Sequence, residues 1–388
     1  LAAGKPLSET TRTILAGKGA KGSGGGVHPP IQRCSTLLIE RYGDLYRDDI
    51  QTYGLEGMEV HRVLKAALLE IEGGADATLA PSGLAACTLA ILASAQAGAH
   101  VLVPDSVYGP TRRFCDTLGR RFGIETTYYA PRIGSGIAAL IRPETCLIWL
   151  ESPGSLTFEI QDAPAIAAVA RSRGIVTAID NTWSAGVFFK PFDHGVDLSI
   201  QALTKYQGGH ADILVGAVLS RTPALAKRVA AANKQLGLGV SPDDAWLVVR
   251  GLKTMHARLA IHDATARALA RWLEERPEVA GVLHPALESH PDHALWARDF
   301  TGAAGLFGVI LKPVSEERLI AMLEGYRLFK MGFSWGGFES LVIPCDPQLT
   351  RTAGAPRFEG PLLRYQIGLE AIEDLTDDLI AGFARLSA

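Results

Sequence analysis

Ile175-Val176-Thr177-Ala178-Ile179-Asp180-Asn181-Thr182-Trp183, followed by Asp197-Leu198-Ser199-Ile200-Gln201-Ala202-Leu203-Thr204-Lys205-Tyr206, decides how the rest of the chain is read. The first six residues are mostly apolar and β-branched, end in an acid and run into the turn-formers Asn181 and Thr182. That is the pattern of a buried parallel strand carrying a carboxylate to its C-terminal end. Residues 197–202 read as a second such strand, and Lys205 stands just beyond it. Two consecutive strands thus deliver a carboxylate and an amine to one edge of one sheet. In open α/β sheets the strand C-termini are where ligands bind.

A lysine among apolar residues can have its pKa depressed, and a neutral amine can form a Schiff base. An aspartate aimed at a pyridine nitrogen keeps that nitrogen protonated and makes the ring an electron sink. On the pair alone, a strand-end aspartate and a solvated surface lysine is the plainer reading. The flanking residues reverse it. Ile179-Asp180-Asn181-Thr182-Trp183, with Ser199-x-Gln201-Ala202-x-Thr204-Lys205-Tyr206-x-x-Gly209-His210-x-Asp212, resembles the Cys/Met-metabolism family of pyridoxal phosphate (PLP) enzymes, of fold type I. The likeness runs from about Tyr53 to the C-terminus and is greatest toward the β-lyases of that family. It implies PLP as cofactor, with Lys205 as the Schiff-base lysine and Asp180 as the pyridine partner.

Composition agrees with a soluble enzyme. The chain has 388 residues, enough for two or three domains, with 47% apolar and 20% charged residues. A net charge of −3 gives no case for nucleic acid or an anionic membrane as partner. The five cysteines are widely spaced with no CxxC, so neither a zinc site nor a disulfide framework is indicated, and a reducing cytoplasm fits. His290 and His293 form an HxxH that reads as a polar loop. No compact apolar core precedes a cleavage site at the N-terminus, so no signal peptide is expected. Residues 77–99 carry no formal charge, but small and polar residues break their apolar part, which reads as a buried core helix rather than a membrane span.

Taken in order, residues 1–55 read as an arm. Residues 17–26 are flexible GKGAKGSGGG, whose formal G-x-G-x-x-G at Gly17, Gly19 and Gly22 has no strand before it and no apolar helix after it. The segment is expected to be mobile or to grip a partner. A helical pattern over residues 60–71 stops at Gly73-Gly74. Strands are expected at residues 77–80, 100–104, 124–129, 146–151, 175–180, 197–202 and 213–220, with helices after residue 83 and over 111–121 and 163–173. This alternation indicates a mostly parallel sheet with helices on both faces. From about residue 241 the texture changes, and residues 244–274 read as a long helical pattern carrying Trp246, Arg250 and Arg258. Strand-like runs at 281–284, 305–311, near 341 and at 362–369, with a helix at 316–323, suggest a smaller α+β unit. The expected division is an arm over 1–55, a PLP-binding domain over 56–245 and a substrate-binding domain over 246–388.

The resemblance assigns further residues. Ser82, Gly83 and Leu84, at a helix start, are assigned to the PLP phosphate, a position where free N–H groups and the helix dipole favour an anion. Thr204 is assigned there too. Tyr53 matches a tyrosine that reaches a neighbouring subunit's cofactor phosphate, but Leu55 stands where the family has an arginine. Ala202 likewise stands where many relatives carry a serine. Tyr108 matches the aromatic that stacks on the pyridine ring. Glu151-Ser152-Pro153-Gly154-Ser155 matches a loop near the substrate end. Arg364 matches the arginine that grips the substrate α-carboxylate, where a guanidinium fork suits a carboxylate. Ser334 and Trp335 fall in a loop of the β-lyase type, and γ-lyases typically carry an aliphatic residue at the Trp335 position. The implied activity is a carbon–sulfur β-lyase of sulfur amino acids, with L-cystathionine going to homocysteine, pyruvate and ammonia, in a homotetramer of dimers with shared sites. A γ-lyase or γ-synthase and a PLP-binding regulatory protein with little turnover are the alternatives.

Overall fold

The computed structural model describes residues 6–47, 49–354 and 358–387, so the first five residues of the expected arm lie outside the described part. Helix α1 (Glu9–Leu15) comes first, then α2 (Glu59–Glu72), whose buried face is Val60, Leu64, Ala67, Leu68 and Ile71 at helical spacing. Next come β1 (Asp76–Ala80), α3 (Gly83–Ser94), β2 (His100–Pro104), α4 (Gly109–Phe114), β3 (Glu125–Tyr129), β4 (Thr145–Glu151), α5 (Ala163–Ser172), β5 (Val176–Asp180), β6 (Leu198–Gln201) and β7 (Gly216–Ser220). These strands form a seven-stranded sheet of order β1-β7-β6-β5-β4-β2-β3. It is mostly parallel, as expected, with β7 alone reversed against β6 and β1. Leu147, Ile148, Trp149 and Leu150 of β4 are fully buried on both faces, as are Ala178 and Ile179 of β5.

The chain continues through α6 (Pro223–Leu236) and α7 (Pro242–Glu274) into β8 (Val279–Leu283), α8 (His293–Asp299), β9 (Leu306–Leu311), α9 (Glu316–Gly325), β10 (Lys330–Met331), β11 (Leu341–Pro344), β12 (Leu362–Gln366) and α10 (Ile372–Ser387). Strands β10-β11-β12-β9-β8 make a second, mixed sheet with its own core, in which Phe307, Val309, Leu363 and Tyr365 meet Leu375, Leu379 and Phe383 of α10. Helix α3 has apolar residues all round and is buried, as the sequence indicates. Among the described residues no helix is long and apolar enough to cross a membrane.

Within the expected arm, α1 packs on α2 and α7 of its own chain and is tied by Lys190 to Glu9 at 2.8 Å and by Arg12 to Glu70 at 2.5 Å. Gly17, at φ +79°, sits against Pro29 and Val63. His290 is not part of a solvated polar loop. It is buried, and its Nδ1 accepts the Asp292 N–H at 3.1 Å. Residues 111–121 are helical throughout, as expected, with a π turn over residues 115–119 following α4.

Candidate active site

Strands β4, β5 and β6 are neighbours, and their register sets Glu151 beside Asp180 and Asp180 beside Ile200. Asp180 therefore leaves the sheet at its C-terminal edge with a second carboxylate next to it. Its Oδ1 accepts the Thr182 N–H at 3.1 Å and the Thr182 hydroxyl at 2.6 Å, and the Cys87 thiol points at Oδ2 from 3.7 Å. Thr182 Oγ1 also accepts the Ala202 N–H at 3.0 Å, which ties the exit of β5 to that of β6. Burial raises the Asp180 pKa against these hydrogen bonds. A desolvated carboxylate of this kind is stabilised by a cation, and a protonated pyridine nitrogen is one.

Lys205 stands in the turn after β6, its N–H bonded to the Ala202 carbonyl at 3.0 Å. Its Nζ lies 3.1 Å from Ser334 Oγ and 5.0 Å from the centre of the Trp335 ring. Burial, helped by the charge of Arg364 and opposed by Asp180, lowers its pKa to about 8. Trp335 also packs on Tyr206, ring centres 5.6 Å apart. The turn at Gly336 has φ +79°, and a Cβ there would stand 3.1 Å from Lys205 Cβ and 3.0 Å from the Tyr206 nitrogen, so only glycine fits without displacement.

Tyr108 caps α4, and its N–H donates to Glu151 Oε2 at 2.8 Å. Its hydroxyl pKa is pushed up to about 12, by desolvation first and then by its electrostatic neighbours Cys87, Asp180 and Glu151, with Arg364 opposing. The Glu151 carboxyl is pushed well above its ordinary range, by burial and then by Asp180. Arg364 rises from β12 of the second sheet. One guanidinium nitrogen donates to the carbonyls of Phe333 at 2.8 Å and Ser334 at 3.3 Å, while Nε is buried without a partner. Burial lowers its pKa to about 10. A buried guanidinium with an orphan N–H is a site for a carboxylate.

Ser82 caps α3 through its hydroxyl, which accepts the Ala85 N–H at 3.1 Å. The N–H groups of Gly83 and Leu84, at the first two helical positions, have no intrahelical acceptor by geometry. A Cβ on Gly83 would come within 2.5 Å of the Ala202 Cβ, so the helix start lies directly against the exit of β6. Thr204, two residues on, bonds the Val215 N–H at 3.1 Å through its hydroxyl. The structure thus gathers Ser82, Gly83, Leu84, Tyr108, Asp180, Thr204, Lys205, Ser334, Trp335 and Arg364 around one sheet edge. Tyr53 is the exception. It is 55% exposed and pairs with Thr36 in the N-terminal segment.

These residues fit PLP. A lysine whose amine is shifted toward neutrality, a buried carboxylate on the neighbouring strand, a helix start with free N–H groups and an aromatic side chain at the same sheet edge are the donor set that the cofactor requires. Sequence reasoning assigns no role of their own to Thr182, Cys87 or Gly336, and takes Glu151 only as the start of a loop near the substrate end. Glu151 carries the same signal as Asp180, an acid closing a buried strand. Cys87 gives none, being one small residue on a uniformly apolar helix.

Fold and site together define a fold-type I PLP-dependent enzyme with a large cofactor domain and a smaller α+β C-terminal domain. The chain belongs to the Cys/Met metabolism PLP-dependent enzyme family, whose model matches residues 10–384. It is 47% identical over 369 residues, 94% of this chain and 93% of the relative, to a putative cystathionine β-lyase of Rhizobium johnstonii. It is 39% identical over 394 residues, 97% of this chain and 98% of the relative, to the cystathionine β-lyase of Escherichia coli. Among solved structures it superposes on a cystathionine γ-synthase from Xanthomonas oryzae, crystallised with aminoacrylate and cysteine, with a TM-score of 0.91, 31% identity and 99% of each chain covered.

Proposed function

We propose that the protein is a carbon–sulfur β-lyase that cleaves L-cystathionine to homocysteine, pyruvate and ammonia. The observation that carries the β assignment is Trp335, whose ring lies 5.0 Å from the Lys205 amine, where γ-lyases of the family typically have an aliphatic side chain. Both β-lyase relatives named above support it.

Each residue has a part in the reaction. Arg364 holds the substrate α-carboxylate in a two-point grip and so sets which Cα bond faces Lys205. Lys205 takes the Cα proton onto Nζ, which its lowered pKa allows near neutral pH. PLP, when bound, supplies the electron sink for the pair left at Cα. Asp180 would keep the proton on the pyridine nitrogen of that cofactor, and Tyr108 would offer its ring a flat face. Ser82, Gly83, Leu84 and Thr204 would hold its phosphate, joined by Tyr53 from a neighbouring copy. Ser334 keeps the Lys205 amine in place through its hydroxyl. The electron pair at Cα expels the homocysteine thiolate from Cβ, and water converts the remaining three-carbon enamine to pyruvate and ammonia.

The same reading carries a cytoplasmic homotetramer, a dimer of dimers. For the assembly, a run of exposed apolar side chains in the N-terminal segment offers a surface to another copy, with Leu38 at 92%, Tyr42 at 87% and Tyr46 at 85% exposure. The division at residues 55 and 245 is retained, with α7 beginning at Pro242 and carrying the chain from the first unit into the second. The deciding experiment supplies L-cystathionine and identifies the products. Pyruvate with homocysteine is expected, whereas 2-oxobutyrate with cysteine would assign the protein to γ-elimination.

A further inference from the structure

Residues 351–353 lie between β11 and β12, on the connection that leads into Arg364, yet their polar contacts are with the other sheet's loops. Asp105, the first residue after β2, is fully buried. Its Oδ2 accepts the N–H groups of Thr352 and Ala353, each at 2.7 Å. Its Oδ1 accepts the Thr352 hydroxyl at 3.0 Å and the Arg112 guanidinium. Arg351 donates to the Asp105 carbonyl, to Thr157 Oγ1 at 2.5 Å and to the Ser155 carbonyl at 3.4 Å.

The two segments held this way are the ones that line the site. Residues 105–108 end in Tyr108, and residues 152–157 follow Glu151. They are also fastened to each other, by the Ser155 N–H on the Ser106 carbonyl at 2.8 Å and by the Tyr108 N–H on Glu151 at 2.8 Å. A Cβ on Gly154 would stand 2.6 Å from Ser106, so the two segments meet with no room to slide. Loops joining a sheet to its helices are ordinarily the freest parts of a fold. A fully buried carboxylate with several donors, some of them charged, is instead a fixed point.

We propose that Asp105 and Arg351 form a latch between the two domains, whose role is to position Tyr108 relative to the α-carboxylate grip of Arg364. Arg364 itself is set by β12, paired at Ile343 and Gly308, so the latch fixes the Tyr108 segment against the sheet that carries the carboxylate grip. The proposal rests on the roles given above to Tyr108 and Arg364. Arg351 is assigned as a positioning residue, acting through the Asp105 and Ser155–Thr157 contacts on the segment that carries Tyr108. Loss of the latch lets the Tyr108 segment shift against Arg364, and a displacement of about 1 Å at a reacting centre can cost about a hundredfold in rate.

The test uses PLP-loaded parent, Arg351→Lys, Arg351→Ala and Tyr108→Ala proteins. The measurements are kcat and KM with L-cystathionine, the visible circular dichroism of bound PLP, which reports the ring's asymmetric surroundings, and the melting temperature. Arg351→Ala is expected to lower kcat/KM by roughly ten- to a hundredfold, and to reduce the dichroic band toward that of Tyr108→Ala. Arg351→Lys keeps the charge but cannot reach all three acceptors, so it should fall between parent and Arg351→Ala. It carries the test by the same criteria if Arg351→Ala does not fold. A parent-like band and parent-like kinetics in Arg351→Ala, with or without a lower melting temperature, would overturn the latch. Tyr108→Ala separates the two readings. If it is defective while Arg351→Ala is parent-like, only the latch fails. If Tyr108→Ala is itself parent-like, the role of Tyr108 fails and the latch with it.

Discussion

At the scale of single residues, the chemistry lies in how burial moves protons. The Lys205 amine, lowered from 10.5 to about 8, is mostly protonated below pH 8 and mostly neutral above it. Only the neutral amine attacks an aldehyde, so the rate at which the apoenzyme recaptures PLP is expected to rise with pH through about 8 and then level off. A rise that continues to pH 10, followed by the visible absorbance, would contradict that shift. Leu55 is the second informative residue. By the family resemblance it stands where a phosphate-binding arginine is expected, and the nearby cations are already engaged, Arg47 with Asp44 and Asp49 and Arg62 with Glu59. A hydrogen bond to a charged group contributes about 1.5–3 kcal/mol, so Leu55→Arg is expected to tighten PLP binding to the apoenzyme by roughly ten- to a hundredfold. Equal affinities in the parent and Leu55→Arg would show that the clamp is complete without this cation. Asp180 and Lys205 are legible in the sequence because each combines a position at or just past a strand end with a recognisable neighbourhood, and Arg364 because of its neighbourhood alone. Glu151 has the position alone, and Cys87 has neither.

At the scale of elements, β5 and β6 make the site by ending side by side, and the Ser334–Gly336 turn closes it from the second sheet. That turn depends on Gly336. Its φ of +79° and the 3.0–3.1 Å approach to Lys205 and Tyr206 leave no place for a side chain. Gly336→Ala is expected to destabilise the protein by ~1 kcal/mol or more, and to shift the visible band of bound PLP, because the backbone it displaces touches Lys205. A parent-like melting temperature and spectrum would show that the turn tolerates a Cβ. The strands were readable from their apolar, β-branched runs. Helices α6 and α10 go unremarked in the sequence reading, although the Leu375, Leu379 and Phe383 face of α10 has helical spacing. The contacts of residues 351–353 with Asp105 span the two domains, and no local pattern announces a pairing of such separation.

At the scale of the whole molecule, the two sheets supply different halves of one site, with Lys205 and Asp180 from the first and Arg364 from the second. Tyr53 stands apart, on a segment whose aromatic side chains face outward. Light scattering is expected to give four times the 41.4 kDa mass of the chain. A monomer that turns over L-cystathionine at full rate would remove the role given to Tyr53. Every role described here meets at Lys205, and one measurement addresses it directly. The PLP-loaded protein is reduced with borohydride, digested, and its peptides are weighed. The pyridoxyl mass is expected on the peptide containing Thr204-Lys205-Tyr206 and on no other. Its appearance on a different lysine, or on none, would contradict the assignment of Lys205 as the cofactor-bearing residue.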